Sequence, residues 1–296
     1  MLETLADLRP YLFAIAYRLV GSASEAEDLV QDAFVRYVAG GGHDEVQSER
    51  AYLSTIVTRL CLDHLKSARV QREAYIGPWL PEPVLTDREV LGPLETVEQR
   101  ESISLAMLVL LERLSAEERA VFVLHEVFDY PFGELAEMLG KSAAACRQLF
   151  HRARGRLAAG RARFQATRDA QRALAEQFLQ AVRGGDLGPL SAALAADVTV
   201  WGDGGGKVAA ARVPIVGRDA VVRFFAGLLR IAPPGTRFEL AEVNGAVALV
   251  VFIQDQLYQV TTFEVIDDQV AAIRSVVNPD KLAFARRQLA GQALAR

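Results

Sequence analysis

Cysteine is nearly absent. Cys61 and Cys146 are the two among 296 residues, too few for a disulfide framework and without the paired spacing of a metal site. A reducing compartment, no metal and no bound cofactor are expected. Long apolar runs are missing as well: no stretch approaches the ~18 uncharged apolar residues a membrane helix needs, and Met1, Glu3 and Asp7 precede any apolar segment. A soluble cytoplasmic protein with no membrane association is the expectation. Nor is there an excess of positive charge. The net charge of −4 removes the simplest sequence-level case for nucleic-acid binding.

What is present is uneven. From Lys141 to Arg172 nine Lys and Arg face one acid, Asp169, so this window carries +8 and the remainder −12. The length and a hydrophobic content of 51% suit about two domains with packed cores.

Residues 1–73 read as helical, because apolar residues recur at three- and four-residue steps: Leu5, Leu8, Leu12, Ile15 and Leu19, then Leu29, Ala33, Phe34 and Tyr37. Ser24 with Glu27 has the spacing of a capping box for the second helix. Gly40–Gly42 break it, and a third helix is predicted from about Ser48 to Arg72. Residues 74–98 hold Gly77, Pro78, Pro81, Pro83, Gly92 and Pro93 and read as an interdomain linker. Its stretch Tyr75–Pro83 is too aromatic for an inert spacer and is expected to dock.

Residues 99–168 are helical again, with Ser115 and Glu118 as a capping box. Pro131 to Gly140 gives a short helix, and a second starts at a cap on Ser142, so the pair is a helix-turn-helix candidate. The second helix would present Ser142, Ala143, Ala144, Arg147, Gln148, His151 and Arg152. Arg and Gln can read guanine and adenine edges bidentately, and small alanines permit close approach. Arg154, Arg156, Arg161 and Arg163 suit phosphate contacts. A cationic helix end that merely complements its own macrodipole has the same composition.

Residues 169–296 change character. A helix from Leu174 to Arg183 stops at Gly184-Gly185, another spans Val221 to Leu229, and period-two runs cover 238–243, 246–253, 256–265 and 269–277, with Asn244-Gly245 and Asp267-Asp268 at turns. Helices followed by an antiparallel meander describe an α+β domain.

Taken in order, these segments resemble the extracytoplasmic-function sigma factors of bacterial RNA polymerase. Ala26–Phe34 looks like sigma region 2.2, Tyr52–Lys66 like the promoter-melting helix that follows, and Leu114–Phe122 with the helix-turn-helix like region 4. Three further signatures, Tyr75–Pro83, Asp203–Lys207 and Asn278–Leu282, resemble the subgroup with a C-terminal SnoaL-like domain, the SigJ-like proteins. The resemblance implies a region 2 helical bundle and a region 4 helix-turn-helix, both all-α, followed by an α+β cone with a curved antiparallel sheet.

It also implies partners and sites. Glu27, Asp28, Gln31, Asp32 and Phe34 would meet the β′ clamp of core polymerase, with the β flap as a further contact. Tyr52, Thr55, Arg59, Lys66 and Arg69 would meet the −10 element, where Tyr52 and His64 could stack on bases. Ser142, Ala143, Ala144, Arg147, Gln148, His151, Arg152 and Arg154 would meet the −35 element. The pocket for a flipped base would lie near Gly40–Arg50. Trp79, Pro81, Pro83, Asp203, Gly204, Gly205, Gly206, Lys207, Asn278, Pro279 and Asp280 would form an interdomain regulatory set, with Trp79 and its prolines docked between the sigma domains and the glycine loop. No separate anti-sigma factor would be needed, since the appended domain modulates transcription in cis.

SnoaL-like cones also include enzymes, and their pocket can hold a small apolar ligand; Asp203, Asp255, Tyr258 and Glu264 are the acid–base candidates. A cyclase or isomerase fused to a DNA-binding module, and a ligand-responsive helix-turn-helix repressor, are the rival readings. A non-enzymatic sigma factor is the leading one.

Overall fold

A computed structural model describes residues 5–40, 48–86, 102–161, 168–184 and 187–293, with backbone alone for 68–73, 159–161, 168 and 292–293. The chain forms two compact units, one of residues up to 73 with 102–103 and 107–161, the other of residues 74–86 with 104–106, 168–184 and 187–293.

In the first unit, α1 (Leu5–Val20), α2 (Ala23–Ala39) and α3 (Glu49–Glu73) pack on one another. Leu12, Ile15, Ala16 and Leu19 are fully buried on α1, as the helical spacing predicts. The second helix starts earlier than its sequence suggests: Ser22, not Ser24, is the cap, its hydroxyl accepting from Glu25 N at 3.2 Å. The reason is Gly21, whose φ of 72° turns the chain sharply enough for capping at once.

Four further helices follow: α4 (Leu105–Leu111), α5 (Ala116–Glu126), α6 (Phe132–Leu139) and α7 (Ala143–Arg161). The Ser115–Glu118 capping box forms as its spacing predicts. Gly140 ends α6 with a left-handed φ of 62°, and Ser142 Oγ accepts from Ala145 N at 3.1 Å to start α7.

The second unit begins with α8 (Arg168–Gly184) and α9 (Gly188–Ala193), then β1 (Leu194–Asp203), β2 (Ile215–Val216), α10 (Arg218–Ile231), β3 (Arg237–Val243), β4 (Ala246–Ile253), β5 (Gln256–Ile266), β6 (Gln269–Val276) and α11 (Ala283–Ala293). The strands form a sheet in the order β2-β1-β6-β5-β4-β3. Its meander β3–β6 is antiparallel as expected, whereas β1 pairs with β6 in parallel, so the sheet is mixed. Strand β1 and the last strand are both central, and the long excursion between them lets them run the same way. Turns at Asn244-Gly245 and Asp267-Asp268 have positive φ throughout, as two-residue hairpins require. Phe178 of α8 stacks edge-on to Phe225 of α10 at 5.1 Å and lies 4.9 Å from Phe263 of β5, anchoring both helices to the sheet. Helix α11 is absent from the sequence reading, although its alanine-rich stretch is a good helix former.

Candidate functional site

Helix α7 is amphipathic by residue type. Cys146, Leu149, Ala153 and Leu157 are buried toward α5 and α6. Ser142, Ala144, Arg147, Gln148 and His151 are exposed on the opposite side, and Ala143 is half-buried at the start. Arg154 is exposed and lies 5.8 Å above the Phe150 ring. Arg152 differs from its neighbours. Its Nε is 3.4 Å from Glu118 Oε1, and Arg156 Nη1 is 2.7 Å from Glu118 Oε2, so both guanidinium groups face the capping box of α5. Burial pushes the Glu118 carboxyl up, but hydrogen bonds from Ser115 and the two arginines outweigh it and hold it below the usual glutamate range.

On α2, Asp28, Gln31 and Asp32 are exposed together, while Glu27 is drawn aside by Arg9 at 3.2 Å and Phe34 is half-buried. Sequence reasoning missed two members of this face: Val35 and Val38, 62% and 63% exposed, continue it at helical spacing. Exposed valines beside acids were the available signal.

On α3, Tyr52 is 46% exposed, and Thr55 donates to Ala51 O at 3.0 Å. Arg59 is engaged elsewhere, donating through Nε to Met138 O at 2.9 Å and through Nη2 to Glu137 O at 3.3 Å, at the C-terminus of α6. Both carbonyls belong to the last turn of α6, where a helix end has few N–H partners to offer. Lys66 pairs with Asp63 at 2.8 Å, and His64, read as a base-stacking side chain, is instead 2.9 Å from Glu25. The Arg69 side chain and residues 41–47, the middle of the Gly40–Arg50 stretch near which the flipped-base pocket was placed, lie outside the described residues.

In the second unit one carboxylate gathers the segment that reads as a linker. Asp203 is fully buried at the end of β1. Its Oδ1 accepts from Tyr75 Oη at 2.5 Å and Gly205 N at 3.1 Å; its Oδ2 accepts from Leu80 N and Lys281 Nζ, both at 2.7 Å. Lys281 also donates to Leu80 O at 2.5 Å and lies 4.1 Å from the centre of the Trp79 ring. Asn278 Nδ2 donates to Tyr75 Oη at 2.8 Å, and burial followed by the Asp203 bond drives the Tyr75 phenol above its ordinary range. Lys207 pairs with Asp280 across the loop. Farther on, Val84 exchanges hydrogen bonds with Asn244, and Leu85 with the side chain of Gln288. Pro81 and Pro83 are buried here and Trp79 is half-buried, so residues 75–86 pack as part of the C-terminal fold.

The glycine loop is shaped for this. A Cβ on Gly205, whose φ is +58°, would fall 2.2 Å from Asn278 Nδ2, and one on Gly206 would fall 2.9 Å from Ile76 Cδ1. Gly204 is equally constrained, 2.6 Å from Val208 O. Sequence reading named the loop, the segment Tyr75–Pro83, the signature Asn278–Leu282 and a turn at Asn244, but did not single out Tyr75, Asn244, Lys281 or Gln288 as the residues that bond these segments together. Their partners are 78 to 203 residues away in sequence.

A cavity of about 480 Å³ lies between the helices and the sheet, lined by Phe178, Val182, Phe225, Leu249 and Val251 among others. Of the acid–base candidates only Tyr258 reaches it. Asp203 is in the clamp, Asp255 is exposed and pairs with Arg237, and Glu264 pairs with Arg274 at 2.8 Å. No carboxylate or imidazole lines the cavity among the described residues. No group of metal-ligating side chains and no helix long and apolar enough to cross a membrane occurs among them either.

The Sigma-70 region 2 family model matches residues 5–70, the Sigma-70 region 4 model 104–157, and the SnoaL-like domain model 175–280. The ECF RNA polymerase sigma factor SigJ of Mycobacterium tuberculosis is 39% identical over 284 residues, covering 93% of this chain and 90% of that protein. The probable ECF sigma factor SigI of the same species is 33% identical over 286 residues, 96% of this chain and 95% of its own. The crystal structure of M. tuberculosis SigJ superimposes with a TM-score of 0.72 at 35% identity, covering 94% and 96% of the two chains. Two sigma regions followed by a SnoaL-like domain define a transcription initiation factor rather than an enzyme. The chain belongs to the extracytoplasmic-function RNA polymerase sigma factors, which work with core RNA polymerase on promoter DNA.

Proposed function

We propose that the exposed α2 face of Asp28, Gln31, Asp32, Val35 and Val38, with Glu27 and Phe34 at its border, docks on the β′ clamp of core polymerase in the cytoplasm, and that the β flap is a second contact. Tyr52, Thr55, Arg59, Lys66 and Arg69 of α3 then meet the −10 element. Ser142, Ala143, Ala144, Arg147, Gln148 and His151 of α7 meet the −35 element, with Arg152 and Arg154 at its edge. The functional domains are taken as 1–73, 99–168 and 169–296, with 74–98 connecting them in sequence and its residues 75–86 packed on the last.

The C-terminal domain modulates this activity in cis, without a separate anti-sigma factor. The observation that carries this reading is the Asp203 clamp: α3 ends at Glu73, and two residues later Tyr75 is bonded to a fully buried carboxylate of the C-terminal fold. Whatever loosens the clamp changes the freedom of the segment that leaves α3. The domain's apolar cavity supports a small apolar ligand as the natural input.

In vitro transcription with purified core polymerase tests both parts. Promoter-specific transcripts should require this protein, and Asp203→Ala should change their amount without changing the promoters used. Arg147→Ala should lower −35-dependent transcription and leave core binding intact. Loss of core binding in that variant would overturn the −35 assignment, and identical output from Asp203→Ala would overturn control in cis.

A further inference from the structure

The cavity lining is not wholly apolar. Thr236, Tyr258, Gln259 and Thr261 lie among its otherwise apolar walls. The β4–β5 register shifts between Val251 and Phe252: Val251 pairs with Gln259 and Phe252 with Leu257, so Tyr258 is the extra residue of a bulge. A bulge re-aims side chains, and this one brings Tyr258 and Gln259 to the cavity although they are neighbours on a strand. Gln259 is held: its Nε2 donates to Thr261 Oγ1 at 2.7 Å and to Ser275 Oγ at 3.4 Å. That commits the nitrogen side of the amide to the protein. The carbonyl oxygen has no partner among the described residues.

The chemistry of an occupant follows. About 480 Å³ falls within the roughly 300–1,000 Å³ of small-molecule sites. No Asp, Glu, Lys, Arg or His lines the space among the described residues. A charged occupant would therefore lose its hydration with nothing to replace it. A hydroxyl or N–H, by contrast, would find the open Gln259 oxygen.

The same hydrogen bonds lead out of the cavity. Thr261, fully buried, is 2.9 Å from Ser275 Oγ, and Ser275 pairs with Gly202 across β6 and β1. The next pair in that register is Val276 with Asp203. Backbone N–H groups of Val277 and Asn278 donate to Asp203 O at 2.9 Å. Cavity and clamp thus share strand β6, with two side-chain hydrogen bonds and one strand register between them.

We propose that the cavity binds an uncharged, largely apolar small molecule bearing one hydrogen-bond donor, which pairs with Gln259, and that occupancy is transmitted to the Asp203 clamp through Thr261, Ser275 and β6. Transmission rests on the reading of the clamp as the element of control in cis. Transmission of this kind requires that the ligand bind the two clamp states with different affinity.

The test uses the full chain and two probes with one ring system: N-phenyl-1-naphthylamine, neutral with a single N–H, and its sulfonated analogue 8-anilino-1-naphthalenesulfonate. The neutral probe should bind saturably at one site and at least tenfold more tightly than the anion. Val251→Trp should abolish binding. The milder Gln259→Leu should weaken it by roughly two- to tenfold, the value of one neutral hydrogen bond. Saturation with the neutral probe should alter backbone amide exchange over 75–86, and Ser275→Ala should bind the probe while losing most of that response. Equal affinity for the anion, absence of saturable binding, or full binding by folded Val251→Trp would overturn the site. Unchanged exchange at saturation would overturn the transmission. In vitro transcription without probe separately tests the sigma assignment, so failure of one is not failure of the other.

Discussion

Asp203 and Lys281, 78 residues apart in sequence, meet at 2.7 Å with both side chains buried. Neither could be buried alone, because an unpaired charge in the interior is strongly destabilising. Together they also bind Leu80 from both sides, Asp203 accepting from its N–H and Lys281 donating to its carbonyl. The ion pair therefore does two tasks, closing the open end of β1 and fixing the segment that follows α3.

Asp203→Ala leaves the Lys281 ammonium and the Leu80 N–H without their acceptor. The C-terminal unit should lose about 3–5 kcal/mol, the usual cost of breaking a buried pair, measured by denaturant unfolding. Protease cleavage within 75–83 should accelerate in the same variant. Retained stability and protection would remove Asp203 from its central place.

Two glycine substitutions should differ in sign. Gly205→Ala forces a side chain into a left-handed conformation with its Cβ on Asn278 and should destabilise by ~2 kcal/mol or more. Gly227→Ala lies in helix α10 with nothing within 4 Å of the added Cβ, and should stabilise by about 0.5–1 kcal/mol. Thermal melts of the two variants beside the parent check both.

Arg147 and Arg156 are both exposed arginines of α7, yet their truncations should separate. Arg147 has no ion pair among the described residues, so Arg147→Ala should leave the melting temperature nearly unchanged while reducing −35-dependent transcription by a factor of roughly 5–150, the worth of one bidentate base contact. Arg156→Ala should lower the melting temperature, because it removes the 2.7 Å partner of Glu118. Transcription and differential scanning calorimetry on the same preparations distinguish them.

Acid should weaken the first unit through Glu118. Its folded pKa lies below the ordinary value of 4.5, so its ionised form contributes stability that is fully present above about pH 4.5 and is lost as pH falls through the folded value. Urea unfolding of Glu118→Gln and the parent should differ most near neutral pH and converge as pH falls below 4.5 and through the folded value. A constant difference across that range would exclude ionisation as the cause.

Much of the architecture was legible because it is written in short-range pattern. The Ser115–Glu118 cap, Gly140 at the helix-turn-helix, and the Asn244-Gly245 turn each depend on residues within a few positions of one another. The exposed side of α7 was legible for the same reason, since burial of Cys146, Leu149 and Ala153 turns Arg147 and Gln148 outward. Where local signals compete, the reading slipped: Ser22 and Ser24 both suit an N-cap, and only the turn at Gly21 selects between them.

By itself, then, the sequence determined the main helices, the strand meander from 238 to 277, the two sigma regions and the SnoaL-like domain, because periodicity, capping and turn chemistry act over a few residues. Tertiary structure alone decided that residues 75–86 belong to the C-terminal fold, that Arg59 binds the end of α6, that β1 runs parallel to β6, and that Gln259 rather than a carboxylate meets the cavity. Those outcomes depend on hydrogen bonds and charge pairs between residues tens to hundreds of positions apart. They form because a buried polar group must find a partner somewhere in the fold, and no local pattern records which one it finds.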